Sequence, residues 1–391
     1  MKFGLFYEIC VPKPWTPGKE ARMIREVIEQ IVAAEKYGFE YVWFTEHHFL
    51  EEFSHCSAPE ILLGALSQVT KKIRLGHGVV LTPPKYNHPV RVAERIAMLD
   101  IISNGRVELG TGRSVTPREL EGFDINAAES RDMWMEGTHL VAKLLSEEKV
   151  SFEGKYVRMP ERTALPRCVQ KPHPPMWLAG TSPDSAKRAA ESGLGVLFFS
   201  TGLTPEMLKD TVKIYRETIK SAKPIAGYVN NQLAGFCTGL CGKDDAETRK
   251  VGSRAAWWYN LMGAEYSSWP KGVEPPKTYE YTKERMAGAA DRLRATGPEG
   301  MLKDDVIMVG NPDRCAAYVK RFQDVGVDQL IIHMQAGGLP HKRMLESITQ
   351  FGKYVIPRFK KGARKSPARG RSKAVSPGRG RPKASPKKSR R

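Results

Sequence analysis

Cysteine is sparse in this chain of 391 residues: Cys10, Cys56, Cys168, Cys237, Cys241 and Cys315 are scattered, and no CxxC pair occurs. That scatter argues against a disulfide framework and suits a reducing compartment. No stretch approaches the ~18 uninterrupted apolar residues of a membrane span, so no membrane association is expected. The opening segment reaches Glu8 without a long apolar core or a small-residue cleavage site. It does not read as a secretory signal, and a cytoplasmic location is expected. There is no Walker loop, no full GxGxxG and no GxSxG elbow, so neither a dinucleotide fold nor a hydrolase nucleophile is supported.

Acidic residues are missing from one region. Residues 360–391 carry 14 Lys or Arg and no Asp or Glu, so the formal charge of +19 shrinks to +5 for residues 1–359. Val375 is the one large aliphatic side chain in that region. Such a segment cannot bury enough apolar surface to fold alone, and a disordered tail is expected. Its Gly378-Arg379-Gly380-Arg381-Pro382 resembles the minor-groove core of an AT-hook, so the tail is a candidate for weak binding of nucleic acid or another polyanion.

The body, residues 1–359, alternates short apolar runs with longer amphipathic stretches, as parallel strands joined by helical crossovers do. Strands are expected at 2–9, 40–45, 73–80, 106–110, 175–179, 195–199, 233–240 and 329–334. Helices are expected near 20–37, 59–71, 89–103, 130–146, 183–192, 205–222, 246–265, 312–325 and 341–355. Pro59, Pro89, Pro183, Pro205 and Pro312 suit first helical turns, where a missing N–H leaves no bond unmade. Eight such units in about 350 residues predict an α/β fold, a TIM (β/α)8 barrel with insertions. One insertion, 150–159, reads as a hairpin turning at Glu153-Gly154. Another, 257–303, is aromatic and proline-interrupted; with Trp257, Trp258, Tyr259 and Trp269 it is the expected lid over the barrel mouth.

Functional groups of a parallel barrel gather where strands end. Thr45-Glu46-His47-His48 follows the second strand and offers a proton-transfer imidazole beside an orienting carboxylate. Adjacent residues on extended chain point oppositely, so one ring should face the mouth and the other pack behind. His55 and Cys56 lie near, but the spacing matches no common zinc pattern and no metal site is expected. Gly110-Thr111-Gly112-Arg113-Ser114 and Gly180-Thr181-Ser182 are small turns after strands, the second leading into a helix. N–H groups there, with Arg113 and Arg131, suit a phosphate.

Together these residues resemble the bacterial luciferase-like flavin-dependent monooxygenase family. Met1-Lys2-Phe3-Gly4, Tyr41-Val42-Trp43-Phe44-Thr45-Glu46-His47-His48-Phe49, His88-Pro89-Val90-Arg91, Leu99-Asp100, Ser103-Asn104-Gly105-Arg106 and Val309-Gly310-Asn311-Pro312 fall in family order. The resemblance implies an oxidoreductase that uses reduced FMN, supplied by a separate flavin reductase, and O2 to oxidise a small organic substrate through a flavin hydroperoxide. It implies a homodimer as well. His47 matches the active-site base, and Gly78 and Val79 match a non-prolyl cis peptide or bulge under the flavin ring. Arg113, Arg131, Gly180, Thr181 and Ser182 match phosphate-binding positions, while Phe199 and Ser200 lie near the ring pocket. Gly112 stands where the luciferase large subunit has a reactive cysteine, so light emission is not implied. Relatives that transfer hydride with a deazaflavin supply the alternative cofactor, and a non-catalytic flavin-binding protein with a polyanion-binding tail is a third reading.

Overall fold

The computed structural model describes residues 1–199 and 201–360. The tail expectation for 361–391 and the position of Ser200 lie outside the described residues. In chain order the strands are β1 (Lys2–Tyr7), β2 (Tyr41–Phe44), β3 (Arg74–Leu81), β4 (Val107–Gly112), β5 (Val150–Glu153), β6 (Arg158–Arg162), β7 (Met176–Gly180), β8 (Gly195–Phe198), β9 (Leu233–Cys241), β10 (Met308–Gly310) and β11 (Gln329–His333).

Parallel pairing runs β9-β11-β1-β2-β3-β4-β7-β8 and closes back from β8 to β9, a closed eight-stranded barrel. The strands are mostly apolar on both faces because each face is covered, with His77, Glu108 and His333 among the buried exceptions. Phe3, Leu5 and Tyr7 of β1 point outward into the layer shared with the helices, together with Val42, Phe44 and Leu109. Phe6, Tyr41, Trp43, Trp177 and Ile331 point inward and fill the barrel. This is the two-residue period of extended chain put to use on both sides. Gly76 makes room for the indole of Trp43: a Cβ there would stand 2.3 Å from Trp43 Cε3.

The eight barrel strands overlap the expected runs, with β3, β4, β7 and β9 extending one or two residues past them, and β5 pairs with β6 as the expected antiparallel hairpin outside the barrel. The crossover helices are α1 (Lys19–Lys36), α2 (Pro59–Val69), α3 (Pro89–Ile102), α4 (Pro117–Gly122), α5 (Ser130–Ser146), α6 (Pro183–Glu191), α7 (Lys209–Thr218), α8 (Asp245–Ser267), α9 (Glu280–Met286), α10 (Ala289–Lys303), α11 (Pro312–Asp324) and α12 (His341–Tyr354). Pro205 opens a 3₁₀ turn, Pro205–Leu208, that hands over to α7 instead of starting it. The short elements α4 and β10 have no counterpart in the sequence reading, because six or three residues are too few to show a period. β10 extends the sheet on the far half of β9, which outruns its barrel partners.

The stretch 257–303 divides differently from expectation. Trp257 and Trp258 belong to the long helix α8, and Trp257 Nε1 donates to Leu293 O at 2.7 Å, tying α8 to α10. Trp269 packs edge-on against Tyr279. Of the four aromatic residues expected in the lid, Tyr259 lines the mouth cavity; the stretch also contributes other residues of α8, residues of α10 and, between them, a strap of residues 277–286 that carries no tryptophan.

Candidate active site

A cavity of about 1290 Å³ opens at the C-terminal ends of the strands, where a parallel barrel assembles its chemistry. It is lined by His47, Gly78, Val79, Arg113, Arg131, Gly180, Thr181, Ser182 and Phe199, so the residues singled out in the sequence share one space. The peptide Gly78–Val79 is cis and coincides with a break in the β3–β4 register between His77 and Val80.

The two histidines part as the extended chain requires. His47 lines the cavity, whereas the His48 ring packs behind it against Phe123 and Tyr86. The carboxylate that orients His47 is not the adjacent Glu46. Glu46 accepts from Leu81 N at 2.9 Å and Asn87 Nδ2 at 2.8 Å, and lies 3.1 Å from His48 Nε2, which pins the end of β3. His47 instead places Nδ1 2.9 Å from Glu119 Oε1. Glu119 sits in the first turn of α4, fully buried, where Thr116 caps the helix. It accepts from Ser114 Oγ and Thr116 Oγ1, each at 2.6 Å, and from His48 N at 2.8 Å.

On its other side His47 Nε2 stands 3.7 Å from Glu8 Oε2. Glu8, just past β1, is buried, and its Oε1 accepts from Tyr259 OH of α8 at 3.1 Å. Burial opposes a charge on the imidazole, yet Glu119 and Glu8 together raise the His47 pKa to about 9. Burial also pushes the Glu8 carboxyl up to about 7, against the pull of His47 and of the Tyr259 hydroxyl. Glu119, though buried, is held below the usual carboxylate range by His47 and its hydroxyl donors. Both carboxylates thus favour the protonated, donor form of the ring over the base form that the resemblance implies. The sequence reading did not single out Glu119 or Glu8 for a role at His47. The one trace of Glu119 was Thr116-Pro117-x-Glu119, a helix-start pattern.

Arg113 and Arg131 converge. The Arg113 guanidinium lies 3.9 Å from the centroid of the Tyr279 ring and donates to Ser130 Oγ at 2.8 Å. Both arginines donate to one carbonyl oxygen, that of Thr278, at 2.5 and 3.1 Å. Two guanidinium groups thus share one neutral backbone oxygen, an arrangement that can hold an anion in its place. The turn at Gly180 behaves differently from expectation. The N–H groups of Thr181 and Ser182 do not face the cavity free; they donate to Ser185 Oγ at 3.1 and 3.0 Å within the capping box of α6. That turn contributes the start of α6 and its hydroxyls, and the charge comes from Arg113 and Arg131. The Phe199 ring lies 5.4 Å from that of Phe6, tilted at 59°, and the two form an aromatic wall. Among the described residues no cluster of His, Cys, Asp or Glu is arranged to hold a metal ion, and no helix is long and apolar enough to cross a membrane.

The family described as luciferase-like monooxygenase matches residues 1–329. The chain belongs to that family. The oxygenase component of a flavin-dependent trigonelline monooxygenase from Acinetobacter baylyi is 24% identical, covering 92% of this chain and 96% of that one. An F420-dependent glucose-6-phosphate dehydrogenase from Amycolatopsis mediterranei is 26% identical over 86% of this chain and 95% of that one. Among solved structures, the monooxygenase RslO1 from Streptomyces bottropensis superposes with a TM-score of 0.73 at 27% identity, covering 92% of this chain and all of the other.

Proposed function

We propose that this luciferase-like oxidoreductase is an FMN-dependent monooxygenase that takes reduced FMN from a separate reductase and uses O2 to oxidise a small organic substrate. The observation that carries the proposal is the shared carbonyl: Arg113 and Arg131 already bind one oxygen at the edge of the cavity that holds His47. A phosphate offers three such oxygens and a full charge, so it competes for these forks with advantage. The residues present fit the flavin mononucleotide: two arginines for its phosphate, the Gly78–Val79 turn and Phe199 on the cavity wall for its ring.

When bound, the reduced flavin supplies the electrons that activate dioxygen. The chain's own contribution is to bind, to exclude water and to hold a proton. The wall of Phe6, Phe53 and Phe199 is apolar and keeps solvent from the reacting atoms. The strap 277–286 covers the phosphate side of the mouth. His47 presents Nε2–H to the cavity, with its tautomer and tilt fixed by Glu119. A homodimer is part of the same proposal: Ile61 and Val69 on α2, with Met98, Ile101 and Ile102 on α3, leave an exposed apolar stripe.

The two relatives of similar identity, one flavin-dependent and one F420-dependent, frame the competing reading, hydride transfer with a deazaflavin. Equilibrium titration of the full chain with reduced FMN and with a reduced deazaflavin cofactor, under nitrogen, separates the two. Tighter binding of FMN is expected; exclusive binding of the deazaflavin would overturn the assignment.

A further inference from the structure

Glu8 Oε2 is a buried carboxylate oxygen with no hydrogen-bond partner, and it belongs to a side chain that lines the cavity. Glu8 is 3% exposed, so little solvent reaches that oxygen in this conformation. Buried acceptors left open are costly and are rare in folded proteins. The other oxygen is taken by Tyr259 OH, which fixes the carboxylate plane. The open oxygen faces His47 Nε2 at 3.7 Å, too long for a direct hydrogen bond.

Two groups 3.7 Å apart can share one bridging oxygen at ordinary hydrogen-bond lengths, reached by a small rotation of the Glu8 carboxylate toward the cavity it lines. Between about pH 7 and 9, where Glu8 is ionised and His47 charged, that atom must give a proton to Glu8 and receive one from the imidazole. A hydroxyl does both. An ammonium cannot accept, and it would meet the charge on His47; an ether oxygen cannot donate. The surroundings are largely aromatic: Phe53 stacks on Tyr259 with ring centroids 5.0 Å apart and planes at 15°, and Phe6 and Phe199, tilted at 59° to each other, line the same cavity. Such walls suit an aromatic ring.

We propose that the cavity floor binds a hydroxyaromatic substrate, its hydroxyl donating to Glu8 Oε2 and accepting from His47 Nε2. The assignment rests on the monooxygenase reading for its meaning as a substrate site, but the site is built from this chain alone and is tested without flavin.

Calorimetric titration of the flavin-free full chain at about pH 8, between the Glu8 and His47 values, with phenol, anisole and benzylamine tests it. Phenol binds about tenfold or more tightly than either of the others, the worth of one hydrogen bond to a charged group. In E8Q, checked for folding by its melting curve, that preference collapses. In wild-type protein labelled with ¹⁵N-histidine, phenol moves the His47 Nε2 resonance. Equal affinity for the three probes, no binding of phenol at millimolar concentration, retained preference in E8Q, or binding that leaves His47 unmoved each overturns the proposal. A parallel FMN titration reports on the cofactor reading, so loss of one leaves the other standing.

Discussion

His47 Nδ1 lies 2.9 Å from Glu119 Oε1 although 72 positions separate the two residues. The contact makes Glu119 a positioning residue: it holds the ring, keeps its proton, and leaves Nε2–H aimed into the cavity. In E119Q the alkaline limb of the rate of oxidation of enzyme-bound reduced FMN should fall from about 9 toward the ordinary histidine value of 6.5. The rate at neutral pH should drop by ~10² or more, the usual worth of a placed proton donor. An unmoved limb would contradict the role.

Stability carries the same signature. The His47 pKa is higher in the fold than in the unfolded chain, so its contribution is complete below pH 6.5 and is lost as pH climbs through about 9. Glu8, raised to about 7, acts with the same sign in a lower window, favouring the fold below pH 4.5 and losing that advantage as pH rises through 7. Urea unfolding from pH 6.5 to 9 should therefore show wild-type protein losing on the order of 3 kcal/mol more than H47N. Parallel pH curves for the two proteins would show that His47 is not held charged.

Arg113 and Arg131 exchange partners when an anion arrives. R113A should weaken FMN binding by ~10- to 100-fold, and R113K should not restore it, because a lysine lacks the second arm of the fork. Since Thr278 O is released in that exchange, FMN should change amide hydrogen exchange in residues 277–286 while leaving β1 unaffected. No change in the strap would mean that the carbonyl and the phosphate do not compete.

Gly112 is required by its neighbour. A Cβ there would stand 2.4 Å from Val79 Cγ2, a side chain that lines the cavity. G112A should cost ~1–3 kcal/mol through overpacking and should also weaken FMN binding. Denaturant midpoints and flavin titration check both, and an unperturbed variant would show that Val79 has room to move.

How much of this could be read before any coordinates depends on range. The barrel strands are legible because burial on both faces writes most of them as short, largely apolar runs, and proline marks helix starts such as Pro59 and Pro183. His47 is legible because the sequence places it at a strand end in a family-ordered motif. Glu119 is not, because its meeting with His47 depends on the path of α4, a helix too short to leave a pattern. Glu8 reads in sequence as an acid interrupting an apolar run; only closure of the barrel shows it facing the imidazole. The Thr181 and Ser182 N–H groups were visible as donors, but the Ser185 hydroxyl that takes them up was a matter of side-chain geometry.

The most direct measurement is an anaerobic titration of the full chain with reduced FMN, followed by a pulse of oxygen. Binding with one equivalent of FMN, and oxidation of the bound flavin markedly slower than that of free reduced FMN, is the predicted result. No heat with FMN in either redox form, or oxidation at the rate of the free cofactor, would contradict a closed monooxygenase site at the mouth of this barrel.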